Sequence, residues 1–308
     1  MNEPLKQAPF PVNIIGGILR TLPIVSGPGN LANGKCLRRF ATAREAVWMK
    51  TRWDDSILCF LDDYIGRSVA YFGDLDPKLS WILSTVLRPG DDFIDVGANV
   101  GLLTTLGAKL VGKEGRVLAI EPQPRILDYL RATLEKNALT QVIVAPVGVS
   151  DVDDTLQMHI PKNNLGGASF CHELSNISGT VEVVVRKFSE LLFEHEFTHP
   201  RLVKMDVEGW EAEVIRGALP IWKETPPPAI IFEFREAPDT LVRETKAGRL
   251  LSELGYQFYR LPRKLFKPCL LSVESEAMRD VAVSHDVFAV HCSTSPIELG
   301  FQSEQVVS

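Results

Sequence analysis

The chain has 308 residues, 45% of them hydrophobic, and a formal charge of -6. That length suits one large α/β domain with an extension, or two modest domains, and the mildly acidic balance lacks the basic stripe of a nucleic-acid binder. The five cysteines (Cys36, Cys59, Cys171, Cys269 and Cys292) are scattered and never spaced C-x-x-C, which argues against a disulfide framework or a zinc site and fits reduced thiols in the cytoplasm.

Residues 1–35 are rich in Pro, Gly and Asn, have weak periodicity, and are expected to be irregular. Within them, Phe10 to Val25 is apolar but interrupted by Asn13, Gly16, Gly17, Arg20 and Pro23. It is too short and broken for a transmembrane segment and lacks a signal-peptide cleavage pattern. A peripheral contact of this stretch with a membrane or a partner stays open. Residues 57–61 and 68–71 read as strands, and 77–87 as a helix with apolar Leu79, Ile82, Leu83, Val86 and Leu87, ended by Arg88-Pro89-Gly90-Asp91.

From residue 92 strands and helices alternate. Strands are expected at 92–96, 116–120, 142–146, 154–160, 180–185, 201–205, 229–234, 256–261 and 286–291. Helices are expected at 101–111, 124–136, 188–193, 211–218 and 238–254. This alternation predicts a mostly parallel central sheet flanked by helices. The division expected is an N-terminal α+β extension over 1–80, irregular and then mixed, a main domain over 81–295, and a C-terminal tail over 296–308. Ligands of such sheets sit beyond the carboxyl ends of the strands, where Asp95, Glu121, Asp206 and Glu233 all fall. Small basic groups, Arg38-Arg39 and Arg260 to Lys267, read as a solvated edge, with contact to an acidic substrate as the alternative.

Residues 91–101, Asp-Asp-Phe-Ile-Asp-Val-Gly-Ala-Asn-Val-Gly, form the most informative stretch. A short apolar strand enters a turn with glycines at 97 and 101, and a helical pattern starts at Leu102. Gly97 and Gly101 allow a tight turn and close approach to a ligand, and the helix N-terminus offers free N–H groups. A dinucleotide turn reads G-x-G-x-x-G and meets a pyrophosphate. Here Asp95 would repel one, whereas the cationic amino-acid end of S-adenosylmethionine fits. Glu121, 26 residues after Asp95, ends the next strand at the offset of an acid that accepts ribose hydroxyls. Capping of the helix at 124–136 is the plainer alternative. In the strand Arg201 to Met205 and the turn after it, Lys204, Asp206 and Glu208 share one side, and such charges are costly unless paired or functional. A structural Lys204–acid pair with capping by Glu208 is the alternative to a catalytic edge. Glu233 adds an acid from the neighbouring strand.

These blocks, Phe93 to Gly101, Ile120-Glu121-Pro122, Val203 to Glu211 with Val214 to Ala218, and Phe232-Glu233, resemble the FkbM family of S-adenosylmethionine-dependent methyltransferases over roughly residues 90–236. The resemblance implies a class I methyltransferase Rossmann-like fold and O-methylation of a sugar, glycolipid or polyketide-like hydroxyl. It places Asp95, Gly97, Asn99, Gly101, Glu121 and Asp151 at the cofactor, with Asp151 near the adenine unless it belongs to a solvated acidic turn with Asp153 and Asp154. Trp210 stands where the family more often has a small residue. The glycine-rich loop 161–169 reads equally as a lid or a plain turn. Asp206 and His172 are the candidate catalytic residues, either able to take the hydroxyl proton, and Lys204, Glu208 and Glu233 the candidate acceptor-binding ones. Asp206, Glu208 and Glu233 are also hard oxygen donors of the kind Mg²⁺ takes, but the sequence does not set their geometry and no metal is predicted. A small-molecule or glycan acceptor is expected, with room for a homo-oligomer and no role for nucleic acid. The rival readings are an NAD(P)-dependent Rossmann oxidoreductase and a non-catalytic interaction protein.

Overall fold

The computed structural model describes residues 8–41, 46–161, 167–170, 177–235, 240–274 and 283–307. The N-terminal part forms α1 (Phe10–Leu19), α2 (Pro28–Ala32), α3 (Lys35–Arg38), β1 (Val47–Lys50), β2 (Ser56–Cys59), α4 (Tyr64–Phe72) and α5 (Pro77–Val86). Three helices thus replace the irregular chain expected over 1–35. Their periodicity is weak because α1 buries only Val12 and Gly16, while its outer face is apolar as well. The strand expected at 68–71 lies inside α4. Asp63 caps that helix by accepting from the Ile65 N–H at 3.1 Å, and Gly73 ends it in the left-handed region at φ 68°. Local capping outweighs the strand-like composition there.

The main body continues with β3 (Asp92–Val96), α6 (Leu102–Val111), β4 (Arg116–Ile120), α7 (Pro124–Lys136), β5 (Val142–Ala145), β6 (Gly148–Ser150), β7 (Asp154–Pro161), β8 (Ile177–Lys187) and α8 (Phe188–Glu194). After these come β9 (Leu202–Met205), α9 (Glu211–Trp222), β10 (Ala229–Glu233), α10 (Lys246–Glu253), β11 (Tyr256–Pro262), β12 (Leu270–Ser272), β13 (Val283–His291), α11 (Pro296–Leu299) and β14 (Val306–Val307). The long helix expected over 238–254 is shorter. A 3-10 turn at Val242–Glu244 precedes Thr245, which starts α10 by accepting from the Gly248 N–H. Residues 236–239 lie outside the described residues.

Nine strands form one sheet in the order β14-β12-β11-β13-β10-β9-β3-β4-β5. The five from β10 to β5 are parallel, and β13 is antiparallel to both β10 and β11. This is the expected class I methyltransferase Rossmann-like arrangement, a mostly parallel sheet between helices. The chain steps outward one way from β3 through β4 to β5, then returns to β9 on the other side. The order reverses between β3 and β9, and that switch point opens a crevice at the carboxyl ends of the strands. A second sheet, β6-β8-β7, is inserted between β5 and β9.

Apolar clusters cover both faces of the main sheet. One gathers Ile94, Ile120, Val203, Ile230, Phe232 and Trp222; the other gathers Phe93, Val117, Ile231, Phe288 and Phe301. The boundary expected at residue 80 falls inside α5, whose Ile82, Leu83 and Val86 join the second cluster. The N-terminal extension, where described, is fastened to the main body as well. Tyr71 and Phe72 share a cluster with Val100, Leu102 and Ile126, and the Leu58 N–H donates to Thr133 Oγ1 at 3.2 Å. At the other end, Leu299 and Phe301 of the expected tail are buried, and β14 pairs in parallel with β12.

Candidate active site

Three turns at the switch point build the site. β3 and β9 pair from Phe93↔Leu202 to Val96↔Met205, so the turns that follow emerge side by side. Gly97 sits at φ 75°, and a Cβ there would meet the Asp206 carbonyl oxygen at 2.0 Å. Gly101, at φ 90°, faces the Leu130 side chain, which a Cβ would meet at 2.7 Å. The turn demands glycine at both positions through its positive φ, and at 97 also through the close Asp206 carbonyl. Gly97 lines the cavity, whereas Gly101 does not. Asn99 holds φ 52° by bonding locally, its Oδ1 accepting from the Val100 N–H.

Glu121 ties two of the turns together. Its carboxylate accepts from the Asn99 N–H and the Gln123 N–H, each at 2.9 Å, and is 6% exposed. Burial raises its pKa to about 7, against the opposing pull of those two bonds. Each oxygen keeps a further lone pair for a hydroxyl in the cavity.

Lys204 is the buried cation at the centre. Its ammonium lies 3.2 Å from Asp95 Oδ1 and 3.8 Å from Asp206 Oδ2, and donates to the Gly97 carbonyl at 2.8 Å. Burial alone would lower its pKa, but the Asp95 and Asp206 carboxylates hold it above the usual lysine value. The second Asp95 oxygen accepts from Thr104 Oγ1 at 2.6 Å. The lysine pair therefore forms chiefly with Asp95 of the adjacent strand, and its donors face protein oxygens. The pair neutralises Asp95 from within the protein, and Lys204, expected at the acceptor, lines the cavity.

The same cavity is lined by a cluster of carboxylates. Asp206, Glu208 and Glu233 each place an oxygen within 4.8 Å of the other two. Arg235 Nε lies 3.1 Å from Glu233, and its Nη2 pairs with Glu208. Burial, then the charge of Asp206, raises Glu208 to about 7 and Glu233 to about 8. Glu208 and Glu233 therefore hold their protons up to near-neutral pH. Glu208 sits at φ 55°, its carbonyl accepting from Ser169 Oγ at 2.7 Å. The capping expected of Glu208 falls to Glu211, whose Oε1 accepts from the Val207 and Gly209 N–H groups.

A cavity of about 360 Å³ joins Glu121 to this cluster. Ile120, Val147, Val149, Ala168, Phe170 and Trp210 supply its apolar walls, with Phe170 packed beside Gly148. Trp210 packs on Phe170 with ring centroids 5.4 Å apart, so the larger side chain builds cavity wall. Asp151 is not part of the lining; its carboxylate is 3.5 Å from Arg216 Nε and accepts from Ser150 Oγ. His172 lies outside the described residues, as does 162–166 of the glycine-rich loop, whose end supplies Ala168 to the cavity. Sequence reasoning missed Arg235, although alternation along the chain places it on the same side as Glu233. It also missed Tyr64, Ile65, Asp76 and Leu79, which close the cavity from the N-terminal extension and carry no motif.

Known proteins are similar to this chain over parts of its length. The family model described as "Methyltransferase FkbM domain" matches residues 95–258. A protein-L-isoaspartate O-methyltransferase from Aeropyrum pernix is 37% identical over 78 residues, 25% of this chain and 29% of that protein. A carboxy-S-adenosyl-L-methionine synthase from Dichelobacter nodosus is 27% identical over 93 residues, 30% of this chain and 39% of that protein. The matches thus span well under half the length of these curated relatives. Among solved structures, a methyltransferase FkbM from Methylobacillus flagellatus aligns over 74% of this chain and 53% of its own, with TM-score 0.40 and 14% identity.

Proposed function

The chain belongs to the FkbM methyltransferase family, whose cofactor is S-adenosylmethionine, and from that premise we propose that it methylates a hydroxyl oxygen of a sugar, glycolipid or polyketide-like small molecule. The observation that carries this reading is that Glu121 and the carboxylate cluster of Asp206, Glu208 and Glu233 line one switch-point cavity. The residues fit the cofactor. Glu121 has free lone pairs for two ribose hydroxyls, the Gly97–Asn99 turn bounds the amino-acid end, and Ile120, Val147 and Val149 offer apolar walls for a planar base.

When bound, the cofactor supplies a methyl group already activated by its sulfonium charge. The protein's part is to orient the acceptor and remove its proton. Glu208 and Glu233, raised to about 7 and about 8, are matched to that task near neutral pH, and Asp206 orients the hydroxyl beside them. Arg235 balances the cluster's charge. The clustered oxygens of Asp206, Glu208 and Glu233 hydrogen-bond a polyol readily and become repulsive to an anionic acceptor as Glu208 and Glu233 lose their protons. This favours a neutral hydroxyl acceptor over a protein carboxyl such as the name of the Aeropyrum relative describes. The scattered thiols fit a cytoplasmic setting; Cys36, Cys59, Cys269 and Cys292 are free.

A screen of methyl-labelled S-adenosylmethionine against glycans, glycolipids and hydroxylated metabolites tests the reading. Label should appear in an ether on a neutral polyol. Label in a carboxyl ester instead would overturn the hydroxyl acceptor.

A further inference from the structure

Among the described residues, no helix is long and apolar enough to cross a membrane, yet one face is built for the surface of one. α1 is seated on α4 so closely that a Cβ on Gly16 would meet the Ala70 carbonyl at 2.3 Å. Its opposite face is apolar and open: Phe10 is 77% exposed, Ile14 48% and Ile18 63%, spaced four residues apart along the helix. After α1 the Val25 N–H donates to the Leu265 carbonyl at 2.8 Å, which brings a second exposed apolar pair, Leu265 and Phe266, against the segment leaving the helix. Open side chains of this size in one region mark an interaction surface.

Charge identifies the partner. The chain as a whole carries -6, but from Ala8 to Ala41 it has no Asp or Glu and has Arg20, Lys35, Arg38 and Arg39. Between Glu253 and Glu274 it again has no acid, and exposed Arg263, Lys264 and Lys267 flank Leu265 and Phe266. Open apolar side chains, with exposed cations beside Leu265 and Phe266 on a protein otherwise acidic, complement an anionic lipid surface: the apolar groups enter the headgroup boundary and the cations meet lipid phosphates. We propose that α1 and the 263–267 loop dock the protein peripherally on an anionic bilayer. The 263–267 loop adjoins the rim of the cavity, because the Arg263 charge acts on Tyr64, a cavity residue. The proposal stands whichever acceptor is methylated.

The test is co-sedimentation of the full chain with vesicles of phosphatidylcholine alone, or with about one-third phosphatidylglycerol added. Binding should require the anionic lipid and weaken as salt is raised. Neutralising Arg263, Lys264 and Lys267 to Gln should weaken it about fivefold per cation. A separate variant, Phe10→Ser with Ile18→Ser, should also release the protein. Both sets alter exposed side chains, so melting temperatures should stay unchanged. Sedimentation with neither vesicle, equal sedimentation with both, or binding indifferent to both sets would overturn the proposal. So would a patch-dependent dimer in ultracentrifugation without vesicle binding.

Discussion

Replacing Glu121 by Gln separates what this side chain does for the cofactor from what it costs the fold. The raised pKa means that the folded protein holds the proton more tightly than the unfolded chain does. Between its ordinary value of 4.5 and about 7 the native state binds the proton and the unfolded state does not, so stability falls as pH rises through that window. At about 1.4 kcal/mol per pKa unit, the ionised carboxylate costs on the order of 3 kcal/mol above pH 7 relative to pH below 4.5. Gln removes that cost but keeps only one acceptor oxygen for the Asn99 and Gln123 N–H groups, a loss of about 1–3 kcal/mol. In urea melts the variant should therefore be less stable than the parent near pH 5, and the gap should close or invert near pH 8. Cofactor binding moves the other way. Losing charge-assisted bonds to the ribose should weaken S-adenosylmethionine by about 1–3 kcal/mol, roughly five- to 150-fold, in titration calorimetry at pH 8. An affinity within about twofold of the parent in a folded variant would remove Glu121 from the cofactor site. A stability gap that did not change with pH would refute its titration.

Further predictions concern the acceptor end and the turn. Turnover should rise with pH through about 7 to 8 as the Glu208–Glu233 pair loses its proton, and Glu233→Gln should flatten that limb of the pH–rate profile. An unchanged profile would assign the base elsewhere. Asp206→Ala, which removes the group that orients the hydroxyl, should lower turnover while cofactor affinity changes far less; single-turnover assays beside calorimetry separate the two. Gly97→Ala should destabilise the fold by on the order of 1–3 kcal/mol, because of its φ and its clash with the Asp206 carbonyl; an unchanged melt would contradict that packing.

The parallel sheet and the strand-end acids were legible because strands and helices alternate with clear periods, and Asp95, Glu121, Asp206 and Glu233 each end an apolar run. What the sequence left open is pairing. Lys204 could have met any rim acid; the register of β3 with β9 sets Asp95 directly beside it. Asp151 follows its strand by a few residues, as an adenine contact would, but its carboxylate turns toward Arg216. The N-terminal helices were illegible because α1 is apolar on both faces, which erases the period a buried stripe would give. The antiparallel β13 and the short β12 and β14 depend on long-range pairing that no local pattern encodes.

The most direct measurement is calorimetric titration of the purified chain with S-adenosylmethionine and, separately, with NADH. The cavity described above should bind S-adenosylmethionine at one site per chain, with NADH giving no heat of binding. Binding of NADH without S-adenosylmethionine would contradict the assignment of the switch-point cavity and return the chain to the oxidoreductase reading.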